Sequence, residues 1–428
     1  MPESLEFALT RTLAEAADAA PEPPIDLLPR VDTGFRKRRN RRYSAVAGVA
    51  VFAVMLGSAI WISHISGPLP DETPKVGFGS PAPLTSIAKG KVRPVMETWP
   101  EVYHTIPAKL PDGRKIRPQF LLGEREVLAT TEAGFEHADE LWTVNLDSKN
   151  AQLITRIPDP APDKTGYASH FTIGSAYVVW WDSYRKAGEN YTRIWKVPVI
   201  GGDPVLVSTV PGNFGVVDDR LVVHREMIYF SSSSTGGVWQ VPLAGGDAGP
   251  IADTRGYQIV SWPWIGSPGA CDVWPPKDSC EVTQPGALRV YTELRNVETG
   301  EQRTVRLPDS DLRGARCGVS YCVTRSGSDD TKSVIFTRDG SRSQSLPGYA
   351  GIPFADRFLV IIERGNGLKL KAILLYDLET GRVGDFEIRP DPDGSEFGPT
   401  NYRPEAGMLH WPIDRHKSFA ILAVGNIR

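Results

Sequence analysis

The chain has 428 residues, 48 Lys+Arg against 51 Asp+Glu, and a formal net charge of −3. That near-balance excludes a chain organised globally around nucleic acid or another polyanion. With 41 Gly, 36 Pro and 11 Trp, the composition suits an all-β domain rich in turns rather than a helical bundle.

The first segment, residues 1–42, reads as a cytoplasmic tail. Ser4 is placed to cap a short helix, with Glu6 in its first turn and Leu5, Leu9 and Leu13 in an i, i+4 stripe. The Pro21-Glu22-Pro23-Pro24 run stops that helix, and Leu27 and Leu28 form a second apolar motif. These five leucines are the candidates for docking a cytoplasmic partner. The competing reading is a tail that only sets topology.

Arg36 to Arg42 is a dense cationic cluster, followed by the uncharged run Tyr43–Ser63. An apolar run of this length reaches roughly 30 Å as a helix, the thickness of a bilayer's hydrocarbon core. Residues 43–65 are therefore expected to span a membrane. The cationic flank places the N-terminus in the cytoplasm and the C-terminal bulk outside. The run is too long, and begins too late, for an ordinary cleaved signal peptide. Residues 66–90 follow as a Pro/Gly linker, with Pro68, Pro70, Pro74, Pro81 and Pro83 among Gly and Ser.

Residues 91–428 change character. Short β-branched and aromatic runs alternate with Gly, Pro, Asp and Asn, as strands in series joined by hairpins do. The series repeats. Leu141-Trp142-Thr143-Val144 recurs as Ile194-Trp195-Lys196-Val197 and Val238-Trp239-Gln240-Val241, and the last two copies continue to Gly-Gly-Asp. A spacing of some 40 to 55 residues suits four-stranded propeller blades. Seven blades are expected, with six as the alternative. The seventh would be built from the C-terminal strands and an early strand, Val102-Tyr103-His104-Thr105-Ile106, which closes the ring.

The runs IWKVPVIGGD and VWQVPLAGGD resemble repeats of TolB-like and dipeptidyl-peptidase-type propellers. That resemblance implies a fold. The peptidases' hydrolase domain and Gly-x-Ser-x-Gly motif are not found here, so their activity is not carried over. The domain order also resembles membrane-anchored propeller proteins of high-GC Gram-positive bacteria, some associated with extracytoplasmic-function sigma factors. The zinc-binding anti-sigma motif has no counterpart in a tail that lacks Cys and His.

The four cysteines, Cys271, Cys280, Cys317 and Cys322, all fall in the exported part and read as disulfides, paired by proximity as Cys271–Cys280 and Cys317–Cys322. Their spacings are not those of a zinc site. The seven histidines lack metal-binding spacing, and Asp391-Pro392-Asp393-Gly394 is a turn rather than a calcium loop. No metal or cofactor is expected. Trp142, Trp195 and Trp239 are in phase with the repeat and are assigned to the core. Trp180, Trp181, Trp262 and Trp264 follow runs expected to be inner strands and are the candidates for a channel-mouth ligand site. The expected function is non-catalytic binding or sensing in the cell envelope, with protein partners, the lipid bilayer and no nucleic acid. The alternatives are an inert scaffold, or a lyase or hydrolase that uses His170 or His224.

Overall fold

The computed structural model describes residues 92–134, 137–158, 168–212, 221–231, 237–267, 291–308, 313–326, 329–365, 369–388, 399 and 406–427. The expected tail, span and linker, with Leu5, Leu9, Leu13, Leu27 and Leu28, lie outside these residues, as do Cys271 and Cys280. Among the described residues no helix is long and apolar enough to cross a membrane.

Seven sheets follow one another. Blade 1 holds Ile116–Leu121, Glu126–Gly134, His137–Asn145 and Ala151–Arg156. Blade 2 holds Ser169–Gly174, Tyr177–Lys186, Glu189–Pro198 and Val205–Pro211. Blade 3 runs from Leu221–His224 and Met227–Ser231 to Val238–Pro242 and Gly249–Pro250. Blade 4 comprises Gln258–Ser261, Trp264–Gly266, Leu294–Asn296 and Gln302–Arg303. Blade 5 comprises Arg313–Cys317, Tyr321–Ser326, Asp329–Thr337 and Ser343–Ser345. Blade 6 comprises Tyr349–Ala350, Phe358–Arg364, Leu370–Asp377 and Val383–Asp385, with Arg93–Pro94 added in parallel at its edge.

Blade 7 joins the two ends of the described chain. Leu409–Ile413 pairs with Ser418–Leu422, which pairs antiparallel with Tyr103–Pro107, Tyr103 opposite Leu422 and Pro107 opposite Ser418. This is the seven-bladed closure expected from the sequence, one residue further along. It covers an edge that would otherwise be open to pairing.

The repeat explains why blades stack. In each strong copy two fully buried residues stand three apart, so they point to opposite faces of the strand. Leu141 packs in the core shared with blade 2, and Val144 in the core shared with blade 7. Ile194 faces blade 3 while Val197 faces blade 1, and Val238 and Val241 divide in the same way. No blade buries both faces without its two neighbours.

Gly-Gly in the motif is a clasp. Gly202 N–H donates to Ile154 O of blade 1 at 3.3 Å, and Gly246 N–H donates to Val207 O of blade 2 at 3.3 Å. Gly201 and Gly245 hold φ of 105° and 108°, and a Cβ on Gly201 would stand 3.2 Å from the Ile154 carbonyl. Backbone this close, in this conformation, requires glycine.

Candidate functional site

The first strands of blades 1, 2 and 3 lie side by side, which makes them the inner strands around the axis. Their beginnings mark one end of the ring and their ends the other. Every internal segment outside the described residues is a sheet-to-sheet or second-to-third-strand connection. The end built from first-to-second and third-to-fourth turns is therefore described throughout.

At the first end, charged and polar groups from blades 7, 1 and 2 converge. Arg117 and Glu132 pair at 2.8 Å, with side chains 46% and 23% exposed. Gln119 Nε2 donates to Thr130 Oγ1 at 3.1 Å. With Ser169, His170 and Phe171 these residues line a cleft of about 180 Å³ between blades 1 and 2. His170 lies at the start of the blade 2 inner strand with φ of 56°, its ring edge-on to Trp181 at 5.0 Å. His410, near the start of the blade 7 inner strand, is 7% exposed. Burial, helped by the charge on Arg117, pushes its imidazole down to about 3, so it is neutral at physiological pH.

At the second end, the inner strands of blades 3 and 4 finish in an aromatic cluster. Trp262 sits in the turn after Gln258–Ser261, joined to Pro263 by a cis peptide. Tyr229 stacks on it at 3.7 Å between centroids, and the His224 ring lies 6.3 Å away. His224 Nε2 is 3.1 Å from Glu298 Oε1, an ion-pair distance without hydrogen-bond alignment. Burial raises the Tyr229 phenol above its ordinary value, and the nearby Glu298 charge adds to this.

Three of the four tryptophans expected at a channel mouth are elsewhere. Trp180, Trp181 and Trp264 lie on second strands, not at inner-strand ends, and are 0%, 3% and 2% exposed. Trp180 packs in the core between blades 1 and 2, Trp181 in that between blades 2 and 3, and Trp264 beneath Arg303. Both faces of a second strand meet a neighbouring blade, so these rings present no ligand face. Trp262 alone follows an inner strand and is half-buried.

The in-phase tryptophans also differ from expectation. Trp142, Trp195 and Trp239 pack against the interblade cores but are half-buried rather than enclosed in them. Trp142 Nε1 donates to Glu140 and Trp195 Nε1 to Asp182, at 3.0 and 3.2 Å, while Arg114 and Arg193 lie over the two rings. Asp182, 2% exposed, also holds Arg193 in a two-point pair at 2.7 Å. Two copies of the repeat, at Trp142 and Trp195, thus carry an Arg–indole–carboxylate sandwich.

Cys317 and Cys322 are bonded, as their proximity suggested, across the blade 5 first hairpin. Among the described residues no group of three or more His, Cys, Asp or Glu is arranged to hold a metal ion. The Arg117–Glu132 cleft was not singled out in the sequence. Arg117 and Glu132 sit fifteen positions apart in a hairpin, and only the register, Arg117 opposite Thr130, brings them together.

No family model matches this sequence, and no curated protein matches it. Solved structures similar to the chain include an oligogalacturonate lyase in complex with manganese, at TM-score 0.33 and 11% identity over 81% of this chain and 97% of that one. The β-propeller domain of the trilobed protease from Pyrococcus furiosus is similar at TM-score 0.39 and 9% identity, over 74% and 98%. An acylaminoacyl peptidase from Pyrococcus horikoshii is similar at TM-score 0.41 and 11% identity, over 72% of this chain and 51% of that one. At such values the likenesses carry no reading of what this chain binds or catalyses. The seven-bladed fold rests on its own strand pairing.

Proposed function

We propose that this chain is a membrane-anchored binding or sensing protein of the cell envelope. Its propeller takes a ligand or protein at the Arg117–Glu132 end of the ring, and its N-terminal tail docks a cytoplasmic regulator such as a sigma factor. The observation that carries the binding site is the 180 Å³ cleft between blades 1 and 2, where both signs of charge and neutral donors meet beside an aromatic edge. That mixture suits orientation of a polar group on a partner more than it suits proton transfer. Arg117 and Glu132 are engaged with each other at 2.8 Å, and burial keeps His410 neutral.

The anchored layout rests on the charge and length pattern of residues 36–65. The first described strands of the chain pair in blade 6, through Arg93–Pro94, and in blade 7, through Tyr103–Pro107.

The test is affinity capture from native extracts with detergent-solubilised full-length protein. A specific envelope species retained by the wild type and lost from an Arg117→Ala/Glu132→Ala variant supports the propeller site. A cytoplasmic protein lost on Leu9→Asp and Leu13→Asp supports the docking tail. Capture unchanged by either pair rejects the corresponding half of the proposal. A second reading, acid–base chemistry at the other end, is favoured only by the 3.1 Å approach of His224 to Glu298. Turnover of an envelope polymer that is lost in His224→Ala would replace the binding reading.

A further inference from the structure

A cleft of about 300 Å³, larger than the one beside Arg117, opens where blade 6 meets blade 7. That volume is at the lower bound for small-molecule sites. The chain builds the cleft as it enters the ring. Arg93–Pro94 extends the edge of blade 6, and the single helical turn Val95–Thr98 leads on to the blade 7 strand Tyr103–Pro107. Pro94 and Met96 form one wall. The floor is aromatic. Trp411 meets Phe386 edge-on at 4.8 Å and Tyr103 at 6.1 Å between centroids. Phe386 and Trp411 belong to the core shared by blades 6 and 7 and are 4% and 3% exposed. Tyr103 packs on that core but is only half-buried, so it is the ring that meets the cleft.

Two carboxylates from different blades stand at the rim. Glu387 follows the blade 6 strand Val383–Asp385, and its N–H donates to Asp385 Oδ1 at 2.8 Å, which bends the chain there. Asp414 opens the blade 7 turn, closed by the Lys417 N–H to the Asp414 carbonyl at 3.3 Å. Other carboxylates of the propeller are held by arginine, Asp182 by Arg193, Asp377 by Arg357 and Asp147 by Arg125. The side chains of Glu387 and Asp414 are exposed, and among the described residues no ion pair or hydrogen bond engages either carboxylate. Both act on one spot. Burial raises the Tyr103 phenol above its ordinary value, and the charges of Asp414 and Glu387 raise it further. Arg415, next to Asp414, also lines the cleft, but the charges felt at the phenol are those of the two carboxylates.

We infer that this cleft binds an organic cation, the alkylammonium or guanidinium head of a free amine or of a lysine or arginine side chain, seated against Tyr103 between Glu387 and Asp414. A cation on an aromatic face is attracted by the ring's quadrupole, and two carboxylates beside it add Coulomb attraction in a partly desolvated place. The aliphatic stem that carries such a head lies against the apolar wall of Pro94 and Met96. The floor alone would accept any apolar group. The rim selects, because an anion meets like charge there and a neutral group leaves both carboxylates without a counter-charge. The cleft shares no residue with the one at Arg117 and Glu132, so the two act as separate contacts.

The experiment titrates the full chain, solubilised in an uncharged maltoside detergent, with butylammonium and with Nα-acetyl-lysine amide. Butanol and butyrate serve as neutral and anionic counterparts, and binding is read by saturation-transfer NMR and calorimetry. Both cations bind saturably and about tenfold more tightly than butanol or butyrate. Glu387→Gln and Asp414→Asn each weaken the cations about fivefold. Both positions are exposed, and an unchanged Tm verifies that these variants fold. Tyr103→Leu keeps the binding of butanol and loses the preference for cations. Tighter binding of the lysine amide assigns the cleft to a peptide side chain, and equal binding assigns it to a free amine. Arg117→Ala/Glu132→Ala binds the cations as the wild type does, so failure at one cleft is distinguishable from failure at the other. Cations held no more tightly than butanol, affinity unchanged in both carboxylate variants, or butyrate bound more tightly than butylammonium overturns the proposal.

Discussion

The two ends of the ring hold titrating groups, His410 buried and Asp356 half-buried, that respond to acid in opposite senses. At the cleft end His410 is neutral because burial and Arg117 disfavour its charged form. Its folded pKa lies below its unfolded one, so its contribution is lost as pH falls below about 6.5. At the aromatic end Asp356 is raised to about 6, so its contribution appears as pH falls. Between pH 7 and 5 these shifts amount to about 2 kcal/mol against the fold from His410 and about 1–1.5 kcal/mol for it from Asp356. Acid thus weakens the end that carries the open cleft and firms the end that is packed. Net charge alone does not disclose this. It requires knowing which of seven similar inner strands, and which of seven similar turns, is buried around its polar residue.

The largest single change should come from Arg338. Replacement by Met removes three hydrogen bonds to blade 4 and blade 5 carbonyls and deprives Asp356 of a compensating charge. A loss of about 3–5 kcal/mol is expected, read as a fall in Tm. A much smaller loss would mean that Arg338 does not hold blade 5 to blade 4. Removing the disulfide by Cys317→Ala/Cys322→Ala should cost about 2 kcal/mol by loop-closure entropy, since the bridged residues are only 5 apart. His410→Asn should flatten the acid side of the stability profile by about 2 kcal/mol between pH 7 and 5. If its profile tracks the wild type, the contrast between the two ends is gone. The smallest stability effect belongs to Arg117→Ala/Glu132→Ala. That pair is partly exposed, and its loss should change Tm by less than the equivalent of about 1 kcal/mol while removing capture of the ligand.

The sequence carries the propeller well because the signal is periodic. Leu141, Trp142 and Val144 repeat with their turn residues, and a pair of buried positions three apart reports a sheet packed on both faces. The ring closure was also readable, since an early strand had no sheet of its own. The cores and the sites were less so. Trp180 and Trp181 looked like a channel mouth because they end an apolar run. That run is a first hairpin, and its second strand carries them into two different interblade cores. Trp142 and Trp195 looked like core and are half-buried under arginines, because an indole N–H with a carboxylate in reach need not be fully covered. Arg117, Glu132, Arg338 and Asp356 gave no local signal. Each acts through a partner on another strand or another blade, a separation that a single sequence does not resolve.

The most direct test of the functional account compares the two ends in one capture experiment. Full-length protein, Arg117→Ala/Glu132→Ala and Glu298→Ala are used in parallel on native envelope extracts, with the retained species quantified. Binding at the cleft end predicts that the first variant loses the species at least tenfold while Glu298→Ala retains it. Loss on Glu298→Ala with full retention by the Arg117→Ala/Glu132→Ala variant would contradict the account and move the functional site to the aromatic end.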